Sequence, residues 1–258
     1  MSRPPRSPLA LSALANFRDL GGIPVAGGTV RAGVVFRSDD VSTAHADEGE
    51  RLRARGLRTV IDLRSAEEAA HTGRGVLDGD DIDYHHLPLT TTVAAPVGAG
   101  EGLRALTTPA AVGEWYAALA IGDARTIVTG FEAVASSPGP VLFHCAAGKD
   151  RTGVFAAGLL TALGAEQEAI VADYALTDAV MPAILARLEP FFASLLGEHH
   201  DPWDVESSGA ILAAPAESMA TMLRVLDEQH GGFLGVLNRG GLTDELTGRL
   251  RDRLVHAP

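Results

Sequence analysis

One ten-residue stretch concentrates the reactive side chains of this chain: His144, Cys145, Ala146, Ala147, Gly148, Lys149, Asp150, Arg151, Thr152 and Gly153. A cysteine and an arginine stand six positions apart, with five residues between them. A loop of that length can curl until successive backbone N–H groups point inward, and at a helix N-terminus such a nest cradles a tetrahedral dianion. Ala146, Ala147, Gly148 and Lys149 supply the cradle, and Gly148 permits a backbone conformation that a side chain would obstruct. The inward amides, the helix dipole and the Arg151 guanidinium all favour the thiolate of Cys145, a nucleophile at neutral pH. Arg151 can grip two oxygens of the anion with its planar fork, and Lys149 adds a point charge. The Thr152 hydroxyl is expected to donate to the sulfur, and His144 to fix the loop by hydrogen bonding.

Such a loop needs a strand in front and a helix behind. The apolar run 140–145 reads as that strand and 152–163 as a buried helix. Further strands are expected over 29–36, after a turn at Gly27 and Gly28, over 58–63, and over 82–87, where Pro88 closes the run. Ser65 and Glu68 form a capping box that opens a helix. Residues 93–102 read as a Gly/Ala-rich loop, and 114–134 as one or two helices broken near Gly122. Helices follow over 166–176, 179–196, 216–229 and 243–254. Met219, Met222, Leu223 and Leu226 make an apolar stripe on one of them, and Leu246, Leu250 and Leu254 on another. Strands alternating with helices predict an α/β fold: a mainly parallel sheet of four or five strands, flanked by helices, with a helical C-terminal portion that shapes or covers the pocket. The reading is of a single domain over 1–258, in which 1–15 is an N-terminal extension and 197–214 a polar connector or lid base.

Composition narrows the rest. With 46% hydrophobic and 21% charged residues among 258, the chain is globular and not disordered. A net charge of −12 repels nucleic acid and anionic lipid, so any anionic ligand must be held locally. Cys145 is the only cysteine, which excludes an internal disulfide and favours the cytoplasm. Lys149 is the only lysine, four residues from it. No run of 18 apolar residues occurs, so no stable membrane insertion is expected. Arg3 and Arg6 precede a short apolar stretch ending in Ala13, Leu14 and Ala15, which mimics a cleavage site for export, but Ser12 interrupts it. His199, His200 and Asp201 read as loop, because adjacent histidines point apart and further ligands are missing. No metal or cofactor is expected.

The His-Cys, five residues, Arg, Thr pattern resembles the signature loop of the bacterial protein tyrosine/serine phosphatases, which are cysteine-dependent. Four other marks of that family stand in the expected order. They are Asn16 to Gly22 (Asn-Phe-Arg-Asp-Leu-Gly-Gly), Arg37 to Asp39 (Arg-Ser-Asp), Ile61 to Ser65 (Ile-Asp-Leu-Arg-Ser) and Asp173 to Thr177 (Asp-Tyr-Ala-Leu-Thr). The resemblance implies a cysteinyl-phosphate mechanism without metal, acting on phosphotyrosine in proteins. It leaves phosphoserine, phosphothreonine and phosphoinositides open, and it places Arg18 and Asp19 at the border of the site. Arg37 and Arg64 read as structural ion-pair partners. Classical tyrosine phosphatases take their general acid from an Asp on a separate movable loop, yet no carboxylate follows Leu89 before Glu101. Asp150 is therefore the first choice for the acid, and Asp62, at a strand end, the second. The alternatives are a phosphoinositide phosphatase, which a loop lysine would suit, a sulfur transferase, and a catalytically inactive phosphoprotein-binding module.

Overall fold

A computed structural model describes residues 13–89, 106–196 and 209–257. The loop expected over 93–102, the pair His199 and His200, and most of the 197–214 connector lie outside the described residues.

The strands are β1 (Arg18–Asp19), β2 (Pro24–Val25), β3 (Gly28–Val30), β4 (Val35–Ser38), β5 (Thr59–Asp62), β6 (Asp83–His86), β7 (Val141–His144) and β8 (Val255–His256). Five of them form one sheet in the order β1-β4-β7-β5-β6. β4, β7, β5 and β6 run parallel, and β1 closes one edge antiparallel. This is the expected mainly parallel, five-stranded α/β arrangement. β4, β5 and β7 are buried at every position, as befits strands covered on both faces.

The helix Asp150–Leu163 follows β7 directly and is buried nearly all round. Its composition explains this: Val154, Phe155, Ala156, Ala157, Leu159, Leu160 and Leu163 leave no polar face. Gly164, left-handed at φ +81°, ends it. Against it pack Gln167–Ala175, Gly232–Arg239 and Pro109–Gly122, and on the last of these lies Ala216–His230, whose core residues include Met219, Met222 and Leu226. The break expected near Gly122 is present, separating Pro109–Gly122 from Ala124–Ser136.

Three differences from the sequence reading have local causes. The span 29–36 is not one strand. β3 pairs with β2 and β8 in a second, antiparallel sheet, whereas β4 belongs to the main sheet, and Gly33 at φ +77° turns the chain between them. The helix Ala46–Ala54 buries only Gly49 and Leu52, so it carries no apolar stripe to read. The helix Gly232–Arg239 starts on two glycines of positive φ, which in the sequence look like a break.

The segment Gln167–Pro190 has a mean hydropathy of 1.5 over its most apolar window. It is nevertheless three successive elements, and it carries Asp173, whose carboxylate is ion-paired to Arg18 and Arg37. Those pairings make it part of the packed fold.

Candidate active site

Strand register decides which residues meet. Ser38, His144, Asp62 and His86 are neighbours in one row across the carboxyl ends of β4, β7, β5 and β6. The residues just past that row therefore share one edge, where open parallel sheets place their ligands. They include Asp39 and Asp40, Cys145 to Lys149, and Arg64.

The loop after β7 is held from outside. Ala146 O accepts from Asp40 N at 3.0 Å, and Ala147 O and Gly148 O accept from Nδ2 of Asn16 at 3.1 and 2.9 Å. Gly148 O also accepts from Nη2 of Arg37 at 2.9 Å, and Lys149 O from Gly153 N at 2.7 Å. All described peptides are trans, so each N–H points opposite to its carbonyl. With those four carbonyls drawn to partners, the N–H groups of residues 147 to 150 turn away from them, which is the donor face an oxyanion needs. Gly148 adopts φ +66°, and a Cβ there would stand 2.5 Å from Ser38 O and 2.6 Å from Asp39 N. Only glycine fits both the dihedral and the space.

Cys145 is 1% exposed beneath this loop. Arg151 approaches it from the first turn of the helix, and Glu68 takes both nitrogens of its fork, Nη2 to Oε1 at 2.8 Å and Nη1 to Oε2. Burial works against the Arg151 charge, but Glu68 foremost, and then Cys145 and Asp150, outweigh it and raise its pKa. Burial would likewise raise the Glu68 carboxyl, and Arg151 outweighs it and holds it low. Arg151 is thus permanently charged and fixed in orientation. Thr152 is fully buried, and its Oγ1 has no hydrogen-bond partner among the described residues.

Asp150 opens the helix with its side chain 20% exposed. Its Oδ1 accepts from the Tyr116 hydroxyl at 2.5 Å and lies 3.2 Å from Nζ of Lys149. Lys149 itself corrects the sequence reading of a phosphate ligand. Its ammonium donates to Ile211 O and, at 3.0 Å, to Ala213 O, and forms an ion pair with Oδ1 of Asp150. The only lysine straps the loop to the 209–213 segment.

Asp62, the second choice for the acid, is fully buried between Arg64, which it grips at 2.9 Å, and the Tyr84 hydroxyl. Burial pushes its carboxyl up, and the Arg64 guanidinium that grips it more than offsets that, so it stays ionised with no proton to give. His144 is buried and held neutral by desolvation, its Nδ1 3.2 Å from Cys145 O and its Nε2 3.9 Å from Asp62. Its place fits a support of the loop.

The N-terminal motif divides. Asn16 clamps the loop, and Arg18 reaches Asp173 Oδ1 at 2.9 Å and Thr177 Oγ1 at 3.2 Å. Burial, followed by the neighbouring Arg37, lowers the Arg18 pKa to about 10. Asp19 does not border the site: its oxygens cap the turn amides of Gly21 and Gly33 at 2.8 and 2.7 Å on the surface. Arg37 and Arg64 sit in ion pairs, to Asp173 and to Asp40 and Asp62.

A narrow cleft adjoins the loop, lined by Asp40, Arg64, Glu68, Ala146, Ile184 and Arg187. Ile184 and Arg187 come from the helix Met181–Leu196, and Arg187 pairs with Asp39 at 2.8 Å. Sequence reading missed Glu68 as a site residue because its capping role accounted for it, and it missed Tyr116 and Arg187 because nothing local marks them.

Comparison with known proteins agrees with this geometry. Residues 9–256 match the tyrosine phosphatase family. The triple specificity protein phosphatase PtpB of Mycobacterium tuberculosis (strain ATCC 25618 / H37Rv) is 30% identical over 93% of this chain and 96% of its own length. A tyrosine-protein phosphatase of Nostoc commune is 27% identical over 88% of this chain and 76% of its own. Among solved structures, P. aeruginosa TpbA matches 63% of this chain and 83% of its own at 18% identity, with a TM-score of 0.32. A match that runs from residue 9 to residue 256 takes in the Cys145 loop together with the segments that clamp it, and this chain belongs to the tyrosine phosphatase family.

Proposed function

We propose that the chain hydrolyses phosphotyrosine in proteins through a phosphorylated Cys145, with Asp150 as general acid. The observation that carries this reading is the loop itself, whose carbonyls are drawn outward and whose Arg151 is fixed by Glu68 beside the cysteine. The turned-in amides and the guanidinium bind the phosphoryl oxygens in the ground state and stabilise their charge during transfer. The Cys145 sulfur attacks phosphorus in line; the S–P bond forms, the P–O ester bond breaks, and Asp150 gives its proton to the departing oxygen. Water then attacks phosphorus, Asp150 takes up the proton, and the S–P bond breaks to return the thiolate. The Thr152 hydroxyl, which has no partner among the described residues, donates to that thiolate as it leaves.

Asp150 is preferred over Asp62 because one of its oxygens has no partner among the described residues and its side chain reaches solvent, whereas Asp62 is ionised and enclosed. The Mycobacterium relative is named for triple specificity, which supports a substrate range wider than phosphotyrosine alone. Phosphoinositides gain no support from Lys149, whose ammonium is already engaged. A cytoplasmic location fits the single thiol.

The test is hydrolysis of para-nitrophenyl phosphate without added metal. Cys145→Ser is expected to abolish turnover while binding of vanadate survives, and Arg151→Ala to weaken both. Full activity in the serine variant overturns the covalent mechanism.

A further inference from the structure

A hydrogen-bond donor and a cation converge on one oxygen of Asp150. The Tyr116 hydroxyl and the Lys149 ammonium both meet Oδ1, while Oδ2 accepts no hydrogen bond among the described residues. Tyr116 belongs to Pro109–Gly122 and is fully buried. Its hydroxyl also lies 2.8 Å from that of Tyr174, on Gln167–Ala175, with the two rings edge to face at 5.9 Å. A phenol has one proton. Since Tyr116 gives its own to a carboxylate, which can only accept, the Tyr174 hydroxyl must donate to Tyr116. The result is a directed chain, Tyr174 to Tyr116 to Asp150, in which each bond strengthens the next.

We propose that Tyr116, backed by Tyr174, is a positioning residue that decides which oxygen of Asp150 carries the catalytic proton. Oδ1 is held as a permanent acceptor, so the transferable proton resides on Oδ2, the oxygen left open. The same hydroxyl and the Lys149 charge stabilise the carboxylate that remains once the proton has gone. This inference rests on the general-acid role of Asp150 proposed above. Burial foremost, then Asp150, keeps the Tyr116 phenol protonated, and burial does the same for Tyr174, so both stay donors throughout the working pH range. The other charges facing Asp150 are Lys149 and Arg151 from its own segment, and Tyr174 in turn faces Arg37 and Asp178.

The experiment compares Tyr116→Phe, Tyr174→Phe and Asp150→Asn with the parent enzyme in kcat–pH profiles. Two substrates are used, phenyl phosphate, whose leaving oxygen needs a proton, and 2,4-dinitrophenyl phosphate, whose leaving oxygen does not. Loss of the Tyr116 donor destabilises the carboxylate, so the alkaline limb of kcat for phenyl phosphate is expected to move up by about one pH unit. At the optimum kcat should fall about three- to tenfold for phenyl phosphate and much less for the dinitrophenyl ester, with KM little changed. Tyr174→Phe shifts the limb the same way by a smaller step, and it carries the test if Tyr116→Phe does not fold.

An unmoved limb, or an equal loss on both substrates, overturns the positioning role. Asp150→Asn separates the two levels. If it spares phenyl phosphate and keeps the alkaline limb, the acid assignment itself is wrong. If it abolishes the limb and discriminates by leaving group while the tyrosine variants stay silent, only the present inference falls.

Discussion

Glu68 and Arg151 meet fork to fork, 83 positions apart in the chain, and the same Glu68 oxygen that takes Nη1 of Arg151 also caps Ser65 N at 2.7 Å. A helix cap thereby becomes the anchor of the guanidinium proposed to bind the anion. Glu68→Gln keeps a side chain able to cap but removes the charge. Turnover measured as kcat/KM on a phosphotyrosyl peptide should drop about 10- to 100-fold, the worth of a charge-assisted pair, and Tm should fall as the largely buried guanidinium loses its counter-charge. A drop smaller than about twofold would show that Arg151 keeps its orientation without Glu68.

Gly148→Ala introduces a Cβ 2.5 Å from Ser38 O at a dihedral of φ +66°. Neither the β4 end nor the loop can yield without disturbing the other. Urea unfolding should report a loss of about 1–3 kcal/mol or more, accompanied by near-complete loss of activity. Gly231→Ala is the control. Its φ is +69°, nothing lies within 4 Å of the added atom, and only the left-handed strain of about 1–2 kcal/mol is expected, with activity retained.

Asp173 stands between Arg18 and the fully buried Arg37, and Asp173→Asn leaves the latter charge uncompensated. At pH 7 the cost should be about 3–5 kcal/mol. Burial alone would raise the Asp173 carboxyl, and Arg37 and then Arg18 reverse this and hold it below its ordinary value. On acidification the unfolded chain therefore takes up the proton first, near pH 4, and favours unfolding. The stability gap between the parent and Asp173→Asn should stay constant from about pH 5 to 8 and narrow only below about pH 4. Denaturant titrations across that range check it, and a gap already closing at pH 6 contradicts the assignment.

Lys149→Met keeps the apolar stem and deletes the ammonium that holds Ile211 O and Ala213 O. Stability should fall by about 1–3 kcal/mol as those carbonyls lose their partner. Inhibition by inorganic phosphate should weaken far less than in Arg151→Ala. Equal weakening in the two variants would put the ammonium on the substrate.

Much of the architecture was legible because its signals are local. The apolar run before Cys145, the helix behind it, the Ser65 to Glu68 cap and the stripe through Met219, Met222 and Leu226 each occupy a few turns or one strand, where periodicity and capping act directly. β2 and β8 escaped notice because two residues carry no period. Asp19 was read as a border of the site because motif order says nothing about where a carboxylate points, and its own turn amides captured it.

The amino-acid sequence alone determined the reactive unit: a thiol, a glycine that can adopt a positive φ, and a guanidinium at fixed spacing between a strand and a helix. Only the tertiary structure decided what surrounds it. Asn16 reaches Gly148 across 132 positions, Asp173 reaches Arg37 across 136, and Lys149 turns to Ile211 rather than to the loop's own amides. These pairings follow from parallel strands whose ends align in register, which brings distant segments to one buried edge. Once there, out of water, each charge or polar group must take the nearest complementary partner, and no local pattern encodes which one that is.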